Sequence, residues 1–207
     1  MSSASTDDRA RGEVAALIAI QGAVADAPGV LPAARGLSHL GEHALGWLVA
    51  AGVGFSVATV RGDEAARVRW AQAGIGAFGA HAASVVVKRV VRRRRPHDPR
   101  IRVGVGTPSR LSFPSSHATS TTAAAILLGR AAGLPPAALP GVLVPPMVAS
   151  RLVLGVHYPS DVAAGALLGA VCAAAVARDD RLTARAIAQL DAAGRALRGR
   201  GPIRGER

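Results

Sequence analysis

Five apolar segments, each near the shortest length that can cross a bilayer as a helix, dominate this sequence. At about 1.5 Å of rise per residue, the hydrocarbon core of a membrane needs roughly 20 helical residues. Polar or Gly/Pro-containing stretches separate the segments, which cover residues 41–60, 70–87, 117–134, 138–154 and 162–177. The pattern predicts an all-α fold, a polytopic helical membrane bundle of about five transmembrane helices.

The composition also favours a membrane protein. Half of the 207 residues are hydrophobic and 18% are charged, and the mean hydropathy is +0.29. These values are too apolar for a typical soluble domain. The single cysteine, Cys172, lies in an apolar segment, so we expect neither an intramolecular disulfide nor a cysteine-based metal site.

The chain is expected to have three parts. Residues 1–37 form an N-terminal tail and an interfacial helix over residues 13–25, which is apolar on one face, too short to span and ended by the stretch from Pro28 to Pro32. An acidic start argues against a signal peptide as the alternative. Residues 38–178 form the transmembrane domain, and residues 179–207 form a basic C-terminal tail.

Three polar blocks stand at the ends of the apolar segments. They read KRVVRRRRP from Lys88, PSSH from Pro114 and SRLVLGVHYPSD from Ser150. If the five segments cross the membrane in turn, all three blocks fall at one membrane face. Two histidines, a carboxylate, spaced cations and a hydroxyl at a helix start can together hold a phosphoryl group and displace its leaving group without a metal.

In the first block, Lys88 and Arg95 are the predicted phosphate ligands. They are seven residues apart, or two helical turns, so both point to one side if the second helix continues until Pro96 stops it. The other arginines of the run, Arg89 and Arg92 to Arg94, are expected to form a juxtamembrane basic cluster that contacts lipid head groups.

The second block predicts a helix start that can bind an anion. Ser115 or Ser116 is the expected N-cap, and the free backbone N–H groups of the first turn face outward. His117 lies in that first turn and suits a general acid. Taken alone, such a helix start is usually a simple cap.

The third block places Arg151 at the end of the fourth segment and His157 in the following connection. Asp161 falls at the third position of the next helix, where a capping-box acid reaches back over the first turn. Its carboxylate can accept the ring N–H of His157, which would fix the tautomer and leave the other nitrogen as a nucleophile. By itself, the block also fits a capping Asp beside an interfacial His.

Together the three blocks resemble the signature motifs of the type 2 phosphatidic acid phosphatase family, in order and internal spacing. The patterns are K-x6-RP, PSSH and SR-x5-H-x3-D. The resemblance implies that His157 attacks phosphorus to give a phosphohistidine, that Asp161 orients it and that His117 protonates the departing oxygen. It also implies that the phosphate oxygens are held by Lys88, Arg95, Ser115, Arg151 and a backbone N–H near Ser116.

Some residues depart from the family pattern or lie outside it. Ser116 stands where the family usually has glycine, which keeps the backbone donor but is expected to shift loop geometry and specificity. Four further histidines match no motif. Of these, His97 is the one expected near the site, and His39, His43 and His81 are expected to have no role there.

The resemblance implies a lipid phosphatase that needs no cofactor. The chain resembles the actinobacterial branch of the family in its short length, its PSSH variant and its Ala/Arg-rich composition. This resemblance implies decaprenylphosphoryl-5-phosphoribose as the candidate substrate. That lipid is an intermediate for cell-wall arabinan. Polyprenyl pyrophosphate and phosphatidate-type lipids are alternatives. A vanadium haloperoxidase shares the anion site but would be soluble. A non-catalytic lipid-phosphate-binding membrane protein is the alternative of another class, although pure binding would not need both histidines.

The net charge of +12 suits an anionic lipid substrate or an anionic membrane surface. Nucleic acid is not an expected partner, because aromatic residues do not interleave with the basic ones and membrane spans are present.

A bacterial plasma membrane is the expected location. Of the 25 Lys and Arg residues, 13 fall on the site's face and 12 on the other, so the positive-inside rule leaves the orientation undecided. The sequence does not indicate whether the protein is a monomer or an oligomer.

Overall fold

The computed structural model describes residues 3–199. In this range no strand forms, and one isolated β-bridge joins Arg94 to Leu111. A 3-10 turn, Glu42–Ala44, separates the second and third helices. The helices are α1 (Ser3–Val24), α2 (Val30–Leu40), α3 (Leu45–Val60), α4 (Glu64–Val91), α5 (Ser116–Ala131), α6 (Ala138–Val153), α7 (Pro159–Ala177) and α8 (Asp180–Gly199). The predicted all-α helical bundle is confirmed.

Three helical stretches are long and apolar enough to cross a membrane. They are Glu42–Val60, Glu64–Val91 and Pro159–Ala177, and they contain three of the five predicted segments. Their outward faces carry large apolar side chains that are more than half exposed, as expected of a surface that contacts lipid. Examples are Val49, Val53, Phe78, Val86, Leu167 and Val171.

The other two predicted segments are the helices α5 and α6, with 16 residues each. At about 24 Å in length, each is shorter than a hydrocarbon core of roughly 30 Å. That these two helices span the bilayer stays a prediction. What the fold does establish is that α5, with its many small and polar residues, is buried along most of its length.

α5 lies at the centre of the bundle and packs against α4, α6 and α7. Glycines let α7 approach it closely. A Cβ added at Gly169 would lie 2.3 Å from the carbonyl oxygen of Thr119, and one at Gly165 would lie 2.7 Å from that of Ser115. Because both obstacles are backbone atoms, these two glycines fix the distance between the starts of α5 and α7.

The N-terminal region is more helical than expected. α1 begins ten residues before residue 13, and the sequence analysis missed α2 altogether. α1 does end at Val24, just before the stretch from Pro28 to Pro32. What the sequence analysis did not predict is that Gly29 makes a left-handed turn at φ 84° and that α2 follows directly. Pro32 occupies the first turn of α2, where a missing N–H costs no intrahelical bond.

Both N-terminal helices pack at one end of the bundle. Leu17 of α1 is fully buried, and the Gln21 side chain donates to the carbonyl oxygens of Arg102, at 2.7 Å, and Val153, at 2.9 Å. α2 packs along α6. The N-terminal helices therefore contribute to the same end of the molecule as the loop after α4.

α4 ends earlier than the sequence analysis predicted. Arg92 takes φ 55° and ψ 26°, and its N–H donates to the carbonyl oxygen of Lys88 as a left-handed C-cap. The chain then runs in a non-helical conformation to Arg94, which bridges to Leu111. The prediction that Lys88 and Arg95 share a helical face is thus wrong, because Arg95 lies outside the helix.

The predicted C-terminal tail is helical at its start. α8 packs on α4, where the Arg67 guanidinium pairs with the Asp191 carboxylate at 2.9 Å. Among the described side chains of α8, those of Thr183 and Ile187 are buried. The predicted boundaries at residues 37 and 178 stay predictions.

Candidate active site

A cavity of about 530 Å³ opens where α4 and α6 end and where α5 begins. Six of the eight predicted site residues line it, and the other two, Ser115 and Asp161, are fully buried directly behind its wall. The lining residues of this set are Lys88, Arg95, Ser116, His117, Arg151 and His157. The structure therefore brings together residues that are up to 73 positions apart in the sequence, from Lys88 to Asp161.

His157 has its two ring nitrogens in different surroundings. Nδ1 lies 3.5 Å from Oδ2 of Asp161, a long contact that falls outside strict hydrogen-bond geometry. Nε2 lies 3.1 Å from Nη1 of Arg95. Since a guanidinium can only donate, Nε2 is the acceptor and the proton sits on Nδ1, facing the carboxylate.

Asp161 occupies the position that the sequence analysis predicted. It is the third residue of α7, and its Oδ2 accepts the backbone N–H of Tyr158 at 2.8 Å, as in a capping box. The backbone N–H of Ser115 donates to the carbonyl oxygen of Asp161 at 2.9 Å. The second and third polar blocks are thus tied together through their backbones.

Burial lowers the pKa of His157 to about 4, although the Asp161 carboxylate acts in the opposite direction. Burial also lowers the pKa of Arg95 to about 10. At neutral pH the cavity therefore holds a neutral imidazole beside a charged guanidinium. A neutral imidazole keeps one unprotonated ring nitrogen, which a nucleophile needs.

Arg95 is held in place by backbone carbonyl groups. Its Nε donates to Ser109 at 2.8 Å, and its Nη1 donates to Val156 at 2.6 Å, next to the contact with His157. These bonds explain how a residue from an irregular segment reaches the site with a defined orientation. The predicted proximity of Lys88 and Arg95 holds, but a loop produces it.

Lys88 and Arg151 supply two more buried cations. The Lys88 ammonium donates to the carbonyl oxygens of Ser112, at 2.9 Å, and Pro114. Arg151 donates from Nη1 to the Ser38 hydroxyl at 3.1 Å, while its buried Nη2 has no partner among the described residues. A buried guanidinium nitrogen without a partner is costly, so Nη2 is a donor available to an anion.

The second block forms the predicted helix start. Ser115 is the N-cap of α5, and its hydroxyl accepts the N–H of Ala118 at 3.4 Å. Ser116 and His117 are the first two helical residues, whose backbone N–H groups have no acceptor within the helix. The ring Nε2 of His117 lies 3.0 Å from the carbonyl oxygen of Ser38, to which it donates, so Nδ1 is the ring atom left for other contacts.

One residue of the site was assigned wrongly from the sequence. Arg93 was expected to contact lipid head groups, but its Nη1 donates to Oδ1 of Asp161 at 2.9 Å and to the Ser160 hydroxyl at 2.6 Å. Its Nη2 pairs with Glu13 of α1, and its guanidinium lies 4.0 Å from the centre of the Tyr158 ring. The turn at Arg92 directs Arg93 inward, and nothing in a run of arginines signals that turn.

The four histidines outside the motifs also differ from expectation. His97, the one expected near the site, is exposed and does not line the cavity. His39, His43 and His81, which were expected to have no role, all line it together with Glu42. The sequence analysis missed them because α2 and the 3-10 turn that carry His39 and His43 were not predicted.

These groups form a set suited to phosphoryl transfer. A neutral imidazole with one oriented nitrogen can attack phosphorus, three cations and a helix N-terminus can stabilise the charge on the transferring group, and a second histidine can exchange a proton with the leaving oxygen. The cavity is large enough for a phosphate and the part of a substrate next to it.

Comparison with known proteins agrees with this reading of the geometry. A family model described as the PAP2 superfamily matches residues 69–182. A Mycobacterium tuberculosis protein named decaprenylphosphoryl-5-phosphoribose phosphatase is 60% identical over 166 residues, which cover 80% of this chain and 89% of that relative. A Mycolicibacterium smegmatis protein of the same name is 59% identical over 158 residues, 76% of this chain and 83% of the relative. No solved structure matches the chain significantly.

Proposed function

This chain belongs to the PAP2 superfamily, and on that premise we propose that it is a bacterial plasma-membrane phosphatase that removes the 5-phosphate from decaprenylphosphoryl-5-phosphoribose. The relatives that carry this activity in their names match most of the chain at about 60% identity. The cationic cavity at one end of an apolar bundle suits a substrate with an anionic head and a lipid tail.

The arrangement of His157 is the observation that carries the proposal. Its Nδ1 faces the Asp161 carboxylate, and its Nε2 faces the cavity beside Arg95. A binding site would need cations, but it would not need an imidazole with a fixed tautomer and a lowered pKa. We therefore favour an enzyme over a non-catalytic lipid-phosphate-binding protein.

In the first step, Nε2 of His157 attacks phosphorus. A P–N bond forms and the bond from phosphorus to the ribose oxygen breaks. His117, which carries a second proton on Nδ1 when the phosphate is bound, gives that proton to the departing oxygen. Asp161 stabilises the positive charge that develops on the imidazole. The sugar-lipid alcohol leaves, and a phosphohistidine remains.

In the second step, water attacks the phosphohistidine. His117, now neutral, takes a proton from the water, a P–O bond forms, the P–N bond breaks and inorganic phosphate leaves. Throughout both steps the phosphate oxygens are held by Lys88, Arg95, Arg151, Ser115 and the backbone N–H of Ser116. No step requires a metal ion or a cofactor.

The test is phosphate release by the purified protein in detergent with a chelator present. The panel contains decaprenylphosphoryl-5-phosphoribose, a polyprenyl pyrophosphate and a phosphatidate, and wild type is compared with His157→Ala and with the exposed control His97→Ala. We expect release from the phosphoribosyl lipid to be highest, to disappear in His157→Ala and to persist in His97→Ala. A different preferred lipid would overturn the substrate assignment, and full activity in His157→Ala would overturn the mechanism.

A further inference from the structure

One side of the cavity is lined by titratable residues that the proposed mechanism does not use. They are His39 of α2, Glu42 and His43 of the 3-10 turn, and His81 of α4, here named the histidine wall. The rings of His43 and His81 are 5.8 Å apart, and Nδ1 of His39 lies 3.8 Å from Oε2 of Glu42. The wall therefore combines three imidazole groups with one carboxylate.

The histidine wall adjoins the predicted general acid. The carbonyl oxygen of Ser38, the residue before His39, is 3.0 Å from Nε2 of His117. At Gly41, directly before the 3-10 turn, an added Cβ would lie 2.8 Å from Cδ2 of His117. Because His117 protonates the departing oxygen, the part of the substrate that carries this oxygen must lie beside the wall.

Two features of the wall are costly unless a ligand uses them. His43 and the following Ala44 both adopt left-handed conformations, at φ 50° and φ 62°, which non-glycine residues rarely do. The Nδ1 atom of His81 is buried and has no hydrogen-bond partner within the part of the chain that the structure describes. Strained backbone and unpaired buried nitrogen atoms concentrate at sites where a ligand binds.

We propose that the histidine wall binds the pentose of the substrate, with the Glu42 carboxylate and the imidazoles of His43 and His81 pairing with the sugar hydroxyls. This inference rests on the proposed function. A neutral imidazole offers one donor and one acceptor, a carboxylate accepts from two neighbouring hydroxyls, and a sugar hydroxyl is both donor and acceptor. A polar wall of this kind does not suit a prenyl chain, which would leave the buried nitrogen unpaired.

The test uses two inhibitors of the same reaction. With decaprenylphosphoryl-5-phosphoribose as substrate, inhibition constants are measured for the dephosphorylated product, decaprenylphosphoryl ribose, and for inorganic phosphate. The first carries the pentose but lacks the transferred phosphoryl group, and the second has no pentose. The variants are His43→Gln, His81→Gln and Glu42→Gln, and the matched control is His97→Gln.

For each wall variant, we expect the inhibition constant of the product to rise about tenfold, because the variant loses one hydrogen bond to the pentose. The constant for phosphate should change less than twofold, and His97→Gln should change neither. Glu42 is half exposed, so its variant tests the wall even if the histidine variants do not fold.

Two results would overturn the inference. One is a product constant that stays unchanged in all three variants, and the other is an equal rise for product and phosphate, which would indicate a general disturbance of the cavity. In either case the wild type still hydrolyses the phosphoribosyl lipid. A wild type that does not hydrolyse it refutes the proposed function instead, so the two failures are distinguishable.

Discussion

Arg93 and Asp161 form an ion pair of 2.9 Å that joins the arginine run after α4 to the carboxylate facing His157. The Asp161 side chain is fully buried, and Arg93 is 26% exposed. The other guanidinium nitrogen of Arg93 pairs with Glu13 of α1, whose Oε1 accepts the N–H of Ser160 at 2.9 Å. The N-terminal helix thus takes part in orienting Asp161.

Substitution of Arg93 should therefore reduce turnover more than substrate binding. In Arg93→Gln, Asp161 loses its charged partner while buried, and its carboxylate is oriented toward His157 by the Tyr158 N–H alone among these contacts. We expect kcat to fall about 10-fold to 100-fold, by analogy with groups that orient metal ligands in other enzymes, and KM to change little. Steady-state phosphate release with the preferred lipid measures both constants.

Arg94 provides the matched control for Arg93, because it is the next residue of the same run and is exposed. Arg94→Gln should keep kcat within about twofold of wild type, since surface substitutions away from buried networks have small effects. Arg93→Lys should recover part of the activity. Equal losses in Arg93→Gln and Arg94→Gln would mean that the run acts through its total charge.

The close approach of α5 and α7 predicts a sharp effect at Gly169. In Gly169→Ala the new methyl group meets the carbonyl oxygen of Thr119 and the Cβ of Thr122, so α7 must move away from α5. We expect a destabilisation of about 1–3 kcal/mol and a melting temperature lower by several degrees. Thermal unfolding in detergent, followed by the fluorescence of the two tryptophans, measures this change.

Gly79 is the control for Gly169. It lies in α4, and an added Cβ would meet no atom of residues 3–199 that the structure describes within 4 Å. Gly79→Ala should leave the melting temperature unchanged or raise it, because an alanine in a helix is more favourable than a glycine by up to about 1 kcal/mol. The packing argument fails if both variants lose the same stability.

Apolar segment lengths and the three polar blocks were enough to predict the helical class and the eight site residues that the structure gathers at one cavity. The spacing of His157 and Asp161 predicted that their side chains lie close together, because Pro159 marks a helix start between them. The sequence likewise limited the N-cap of α5 to Ser115 or Ser116, and the structure shows that it is Ser115. These are local relationships, which a sequence carries directly.

Two local backbone conformations were not predictable, and the contacts that depend on them were missed as well. The left-handed turn at Arg92 determines which arginine faces Asp161, and arginine has no preference that would signal it. α2 begins right after a glycine and has a proline in its first turn, so the pattern was interpreted as a helix end. Without α2, the positions of Ser38 and of the histidine wall beside His117 could not be inferred.

Ser116 allows the backbone donor of the second block to be tested separately from the side chain. It is the first residue of α5, and its hydroxyl oxygen lies 2.7 Å from that of Ser84. Ser116→Gly, which restores the residue usual in the family, keeps the N–H and should change kcat/KM by less than about threefold. Ser116→Pro removes the N–H at a position where proline is well tolerated in helices.

We expect Ser116→Pro to lower kcat/KM about 100-fold, as the loss of one donor to a transition-state oxygen does in other enzymes, while the melting temperature stays close to that of wild type. Phosphate release and thermal unfolding, measured on the same preparations, separate the two effects. A proline variant with wild-type activity would exclude this N–H from the site.

The protonation of His157 gives the last prediction. Burial disfavours the imidazolium and, with the nearby charges of Arg95 and Lys88, outweighs the opposing effect of Asp161, so the pKa falls to about 4 from an ordinary value near 6.5. The ring should therefore stay neutral as the pH falls from 7 to 5 and gain a proton near pH 4. Asp161→Asn should lower the pKa further, because the carboxylate favours the charged ring. NMR titration of histidine-labelled protein in detergent measures both midpoints, with the His157→Gln variant identifying the signal. A midpoint at or above 6.5 in the free protein, or a rise in Asp161→Asn, would contradict the proposal that His157 waits in the site as a neutral nucleophile.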